Sequence, residues 1–202
     1  MRVAVLASGV GTNLQALLDA VHGREGIEIV AVASDKPAAM ALERARAAGV
    51  ETAAFSADAY DDRATRDQAM GEWLAAREVE LVVLAGYMQL VSDEFLARFP
   101  GRVINVHPAL LPAFPGLHAV QQALDYGVKV FGVTVHFVDD GVDTGAVILQ
   151  RAIELPDARE ADDVLEQLHP IEHELLPEAV RLIARGAVSI DPRAPRRVRI
   201  ER

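Results

Sequence analysis

Short, wholly apolar runs separated by amphipathic stretches constrain this chain more than any other feature. Arg2-Val-Ala-Val-Leu-Ala7 is ended by the turn residues Ser8-Gly-Val-Gly11, and Leu14, Leu17, Leu18 and Val21 then follow at helical spacing. The pattern repeats. Ile27 to Ala33 reads as a strand, Pro37 opens a helix that Gly49 ends, Glu51 to Phe55 is a shorter strand, and Asp58 to Arg77 is one long polar helix with Trp73 and Leu74 inward. Leu81-Val-Val-Leu-Ala85 is apolar at every position, as a strand buried on both faces must be, and such strands belong to parallel sheets. Alternating strand and helix over the first hundred residues predicts an α/β fold with an open, doubly wound, mostly parallel sheet.

The later half departs from that rhythm. His118 to Tyr126 is helical, Lys129 to Val138 is a β-branched strand, and Gly145 to Leu155 returns after too short a connection for a crossover helix, which predicts an antiparallel C-terminal hairpin. Ala161 to Arg185 has helical periodicity, but Pro170 and Pro177 each remove a donor, so a kinked helix or two helices are expected. At 202 residues, 51% of them hydrophobic, the chain suits a single domain over residues 1–190. The last twelve residues carry Arg193, Arg196, Arg197, Arg199 and Arg202 against Asp191 and Glu201, and read as a solvated basic tail, residues 191–202.

Charge and composition exclude several roles. A net charge of -10 argues against nucleic acid as a partner, because phosphate neutralisation needs a basic face. The absence of cysteine removes thiolate nucleophiles, disulfides and Cys-ligated metals. The first apolar run is too short for a secretory leader and no run approaches a membrane span, so a cytoplasmic protein without membrane contact is expected.

The chemistry concentrates around a proline-rich turn. Asn105 and His107 stand two apart on a strand and point the same way, and Pro108 keeps His107 extended at the strand's carboxyl end, where parallel sheets bind ligands. An amide donor beside an imidazole suits a developing oxyanion, and the acidic turn Asp139-Asp-Gly-Val-Asp143 offers a carboxylate to keep the ring charged. No protein nucleophile is evident, so direct transfer between two bound substrates is simpler than a covalent intermediate. Ser8 to Asn13, at a strand-to-helix turn, can receive an anion on free N–H groups, although it lacks the third glycine of a dinucleotide motif and the lysine of a P-loop. His118 and His136 are equally well explained as structural residues. A metal held by His107, His118, His136 and Asp143 has no helical histidine spacing behind it, and a single Asp143-Thr-Gly145 does not make an aspartic-protease pair.

Taken together, Leu6-Ala-Ser-Gly-Val-Gly-Thr-Asn-Leu-Gln15, Leu84-Ala-Gly-Tyr-Met88, Ile104-Asn-Val-His-Pro-Ala-Leu-Leu-Pro112, Phe114-Pro-Gly-Leu-His118 and Val135-His-Phe-Val-Asp-Asp-Gly-Val-Asp143 resemble the folate-dependent formyltransferases, and among them the phosphoribosylglycinamide formyltransferases of purine synthesis. The resemblance spans nearly the whole chain and implies a Rossmann-like formyltransferase fold. It implies formyl transfer from 10-formyltetrahydrofolate, as co-substrate and without a metal, to the amine of glycinamide ribonucleotide. Asn105 and His107 would stabilise the oxyanion, and Asp143 would keep His107 protonated and organise proton transfer, through water. Gly11, Thr12 and Asn13 would hold the ribonucleotide phosphate, and Glu172 its ribose or glycinamide end. Arg63, Met88, Gln89, Leu90, Val91, Asp139, Asp140 and Gly141 would lie on the folate side. A monomer or homodimer is expected.

Many members of that family carry Asn where this chain has Val10, a basic residue at Gln89 and Lys at Ala113, so these departures are expected to affect binding more than chemistry. Two other readings differ in class. A formyltetrahydrofolate hydrolase would use the same three residues with water as acceptor but usually adds an N-terminal regulatory domain, and a folate- or nucleotide-binding module would use none of them. A methionyl-tRNA formyltransferase would need a basic C-terminal domain.

Overall fold

The computed structural model describes residues 1–201 and divides into two compact units, Met1–Ile104 and Asn105–Arg202. In the first, strands β1 (Arg2–Leu6), β2 (Glu28–Ser34), β3 (Glu51–Ala54) and β4 (Leu81–Leu84) pair in parallel in the order β3-β2-β1-β4. The apolar runs become strands because both faces are covered: Val3, Val5, Leu6, Val32, Leu81 and Val83 are fully buried. Each such side chain removed from water contributes about 1.5–3 kcal/mol. The order reverses between β1 and β4, so their carboxyl ends frame a crevice of the kind in which open α/β sheets bind ligands.

Helices α1 (Thr12–Ala20), α2 (Met40–Ala47), α3 (Arg63–Ala75) and α4 (Asp93–Arg98) complete this unit. Three differ from the sequence reading. Ala39 is extended, so α2 begins at Met40 rather than at Pro37. The expected long helix from Asp58 breaks into a short 3-10 turn, Ala57–Ala59, and α3, because the Asp62 carboxylate caps the new helix by accepting the Thr65 N–H at 2.7 Å. The short α4 was not anticipated. Ser92 caps it by accepting the Phe95 N–H at 3.3 Å, and Asp93 and Glu94 fill its first turn.

Strand β5 (Val103–His107) ends the first unit, and its last three residues open the second. There α5 (Ala119–Tyr126) leads to β6 (Val130–Phe137), and β7 (Val147–Glu154) returns antiparallel to it, in the order β5-β6-β7, as the short connection requires. A Cβ on Gly145 would lie 1.8 Å from the Phe137 carbonyl oxygen, so this return tolerates only glycine. The doubly wound, mostly parallel class with a late antiparallel hairpin is thus the observed one. Helix α6 (Ala161–Ala184) runs unbroken through Pro170 and Pro177, which sets aside the two-helix alternative. The arginine-bearing end is not a featureless tail: β8 (Val188–Asp191) and β9 (Ala194–Ile200) form an antiparallel hairpin. Val198 and Ile200 alternate with exposed Arg197 and Arg199 along it, a two-residue period that the arginine count hid.

Candidate active site

Three chain segments of the second unit converge on one carboxylate. Strand alternation puts Asn105 and His107 on one face of β5 and Thr134 and His136 on one face of β6. Asp143 sits in the loop between β6 and β7 at φ 53°, a left-handed backbone that aspartate tolerates better than most residues. Its Oδ2 lies 3.4 Å from His107 Nδ1 and accepts the Gly116 N–H at 2.8 Å. Its Oδ1 lies 3.5 Å from His136 Nε2 and accepts from Asn105 Nδ2 at 3.4 Å. The Asp143 side chain is only 13% exposed. Burial alone pushes its pKa up, but the hydrogen bonds from His136 and the Gly116 N–H and the charges of both imidazoles prevail and hold it at about 2.

The proton positions follow from the partners. His107 Nε2 lies 2.9 Å from the Phe114 carbonyl oxygen, which can only accept, while Nδ1 faces the carboxylate. Both ring nitrogens therefore meet acceptors, and both are satisfied when both carry protons. His136 Nδ1 donates to the Phe137 carbonyl at 2.7 Å, and its Nε2 stands between Asn105 Nδ2 at 3.3 Å and Asp143. When Nε2 is protonated it faces the carboxylate, and when bare it accepts from the amide. His136, for which the sequence left a structural role and a functional one equally open, thus belongs to the cluster. Its alternation with core positions was visible, but the sequence put it beside Asp143 only in the metal alternative and not in a hydrogen-bonded cluster with Asn105.

Backbone straps hold the loop that follows β5. The Thr134 hydroxyl donates to the Ala109 carbonyl at 2.6 Å and accepts the Leu111 N–H at 3.1 Å and Gln150 Nε2 at 2.9 Å, so it is fully used. Asp139 and Asp140 are both exposed, and Asp139 spends its Oδ1 inside its own loop, on the Gly141 N–H at 3.2 Å and the Thr144 hydroxyl at 2.6 Å. Glu172 is 6% exposed on α6. Beside it the chain holds a helical histidine spacing passed over in the sequence: His169 and His173 stack at 6.2 Å on α6. No group of three or more potential metal ligands occurs among the described residues.

In the first unit, Gly11 caps α1 at φ 79° and ψ 36°, with Thr12 half-buried and Asn13 buried after it. The crevice at the β1 and β4 ends is tied across by the Ser8 N–H to the Gly86 carbonyl at 3.0 Å and the Met88 N–H to the Ser8 hydroxyl at 2.8 Å. Met88 and Leu90 are 54% and 57% exposed, an apolar surface next to buried polar groups. Arg63 is exposed at the start of α3 and Val91 is half-buried.

Beneath this segment Arg66 and Asp67 form a buried ion pair at 2.7 Å. Arg66 also donates to Gln89 Oε1 at 3.3 Å and to the Leu90 carbonyl at 3.4 Å, and Asp67 Oδ2 accepts the Ser92 N–H at 2.6 Å. Gln89 Nε2 reaches Asp35 Oδ2 at 3.2 Å, so its side chain serves this internal network. Burial pushes the Tyr87 hydroxyl above its ordinary pKa, with smaller and opposed contributions from Arg66 and from Asp67 and Asp35. No helix among the described residues is long and apolar enough to cross a membrane.

The formyl transferase family matches residues 1–180. A phosphoribosylglycinamide formyltransferase of Bacillus subtilis (strain 168) is 42% identical over 181 residues, covering 89% of this chain and 93% of that protein. A solved structure of glycinamide ribonucleotide transformylase 1 from Symbiobacterium toebii superposes with a TM-score of 0.95 at 48% identity, covering all of this chain and 94% of that one. The trifunctional purine biosynthetic protein adenosine-3 of Drosophila melanogaster is 42% identical over 194 residues, 95% of this chain, which spans only 14% of that longer protein.

Proposed function

Because this chain belongs to the formyl transferase family, we propose that it moves the formyl group of 10-formyltetrahydrofolate to the amine of glycinamide ribonucleotide, with Asn105, His107 and Asp143 as the catalytic groups. The observation that carries this reading is the single carboxylate shared by Asn105, His107 and His136. A bond forms between the substrate amine and the formyl carbon, the bond from that carbon to the folate nitrogen breaks, and one proton passes from the amine to the departing nitrogen.

Each residue has a distinct part. The Asn105 amide is held by contacts of 3.3 and 3.4 Å, long enough to be exchanged for a better acceptor, so its N–H is available to a developing oxyanion. His107 Nε2–H, now on the Phe114 carbonyl, is the positive donor for the same oxygen. Asp143 balances that charge and, at a pKa of about 2, stays ionised throughout the neutral range. His136 and the Gly116 N–H position the carboxylate. Gly11, Thr12 and Asn13 take the phosphate on the α1 N-terminus, where the backbone N–H groups of the helix start and the helix dipole favour an anion. Glu172 takes the ribose or glycinamide end. Arg63, Met88, Gln89, Leu90, Val91 and the loop of Asp139, Asp140 and Gly141 form the folate side, the exposed apolar faces of Met88 and Leu90 carrying the ring system. A cytoplasmic monomer or homodimer, free of nucleic acid and membrane, completes the reading.

Incubation with 10-formyltetrahydrofolate, with and without glycinamide ribonucleotide, tests it. Folate release that requires the amine is expected. Release without the amine would indicate a hydrolase, and none in either tube a binding module.

A further inference from the structure

The turn proposed to receive the phosphate is built from behind by α2, whose residues have no part in the mechanism above. The Ala41 N–H donates to the Gly9 carbonyl at 3.1 Å. Arg44 Nε–H donates to the Val10 carbonyl at 2.8 Å, and the same guanidinium reaches Gln15 Oε1, on the second turn of α1, at 3.1 Å. A Cβ on Gly11 would lie 2.8 Å from Ala41 Cβ, so turn and helix are in direct contact. In a trans peptide the C=O and the next N–H point in opposite directions. Drawing the Gly9 and Val10 carbonyls onto α2 therefore turns the N–H groups of Val10 and Gly11 away from it, and neither is spent on another group among the described residues. Two adjacent N–H groups facing outward at a helix start form a concave anion site. The Val10 side chain is 54% exposed, so its backbone does this work whatever the side chain is.

We propose that Arg44 is a positioning residue for recognition of the substrate's phosphate: by bridging the Val10 carbonyl and the Gln15 amide it fixes the Val10–Gly11 peptide plane, which presents the Gly11 N–H, while the Ala41 N–H holds the plane before it. The inference rests on assigning the ribonucleotide phosphate to Gly11, Thr12 and Asn13. Arg44 is half-exposed at the surface of α2, so Arg44→Met, which keeps the aliphatic stem and removes every donor, leaves the fold intact.

The test compares wild type, Arg44→Met and Arg44→Lys in two assays. Formyl transfer is measured to glycinamide ribonucleotide and to the same acceptor lacking its phosphate. Binding of ribose 5-phosphate is measured by titration calorimetry, which needs no turnover. In Arg44→Met the KM for the ribonucleotide and the Kd for ribose 5-phosphate rise about tenfold or more, the loss expected for one hydrogen bond from a charged donor. The kcat, the KM for folate and the transfer to the phosphate-free acceptor stay within about twofold. Arg44→Lys, which keeps the charge but not the two-pronged hold, recovers only a fraction of the affinity.

An equal loss on both acceptors would show a general structural role and overturn the proposal. So would full rescue by lysine, which would mean that charge alone acts, or a wild type that does not bind ribose 5-phosphate. A wild type that binds ribose 5-phosphate but formylates neither acceptor refutes the proposed reaction and leaves the binding arm to decide the role of Arg44.

Discussion

Replacing Asp143 by Asn removes one charge while keeping the shape of the cluster. The new Oδ1 can still accept the Gly116 N–H, and the new NH2 can face His136 Nε2, which accepts when bare. What disappears is the carboxylate 3.4 Å from His107 Nδ1. At an effective dielectric constant of ~20, a unit charge pair at that separation is worth about 5 kcal/mol. If the reacting state carries the full ring charge, about 1.4 kcal/mol per decade converts this into a fall in kcat of about 10³ to 10⁴. The KM values for both substrates should stay within about threefold, because neither the turn proposed for the phosphate nor the Met88 and Leu90 surface proposed for folate has been touched. Single-turnover formylation with both substrates saturating is the assay, and thermal unfolding at pH 7 the control. A folded Asp143→Asn enzyme retaining more than a tenth of the wild-type rate would refute the charge-balancing role. Because the carboxyl is held at about 2, the wild-type rate should also show no decline attributable to Asp143 above about pH 4. A limb at pH 5 that vanished in the variant would contradict that assignment.

Other consequences follow from the same structure. The folded pKa of Asp143 lies below its ordinary 3.8, so its contribution to stability is full above about pH 4 and lost as pH falls towards 2. Urea unfolding should show the wild type's advantage over Asp143→Asn shrinking by about 2 kcal/mol across that window, and a pH-independent difference would contradict it. Asp67→Ala strands Arg66 with its guanidinium buried, and should cost about 3–5 kcal/mol by denaturant unfolding; a cost below 1 would mean that the pair is solvated. Gln89→Arg sets a second guanidinium beside Arg66, 3.3 Å from the present amide oxygen, so folate affinity should fall with kcat nearly unchanged. A change in turnover at constant folate affinity would separate Gln89 from the folate side.

The strands were legible because burial on both faces leaves no choice of residue: Leu81 to Leu84 had to be apolar throughout. Helix ends were less so, since Asp62 and Ser92 act as caps only where the chain on their carboxyl side turns back to offer an N–H. Asn105, His107 and Asp143 could be singled out from their motif, but their joint hold on one another depends on two loops and two strands. The Arg66–Asp67 pair left no signal at all. Two adjacent charges in a polar helix look like a solvated face, and only the path of residues 89–92 over them makes that face interior.

Backbone strain is concentrated around the carboxylate that these groups share. Phe114, His118 and Asp143 are three of the five non-glycine residues with positive φ among the described residues, and a left-handed L-residue costs roughly 1–2 kcal/mol. Two of the hydrogen bonds that hold this loop come from the cluster itself: His107 holds the Phe114 carbonyl, and Asp143 holds the Gly116 N–H two residues further on. The loop from Phe114 to His118 is thus tied to the ring and the carboxylate, and Gln122 Nε2 holds it from the other side by donating to the Leu117 carbonyl at 2.8 Å and the Pro115 carbonyl at 3.4 Å. In the proposed reaction, a substrate oxygen that drew His107 Nε2–H away from Phe114 would release one of the loop's anchors as it formed its own bond, while Asp143 and Gln122 kept theirs. On that reading, contact with the reacting atom would be coupled to the backbone of this loop, with the carboxylate as the fixed point.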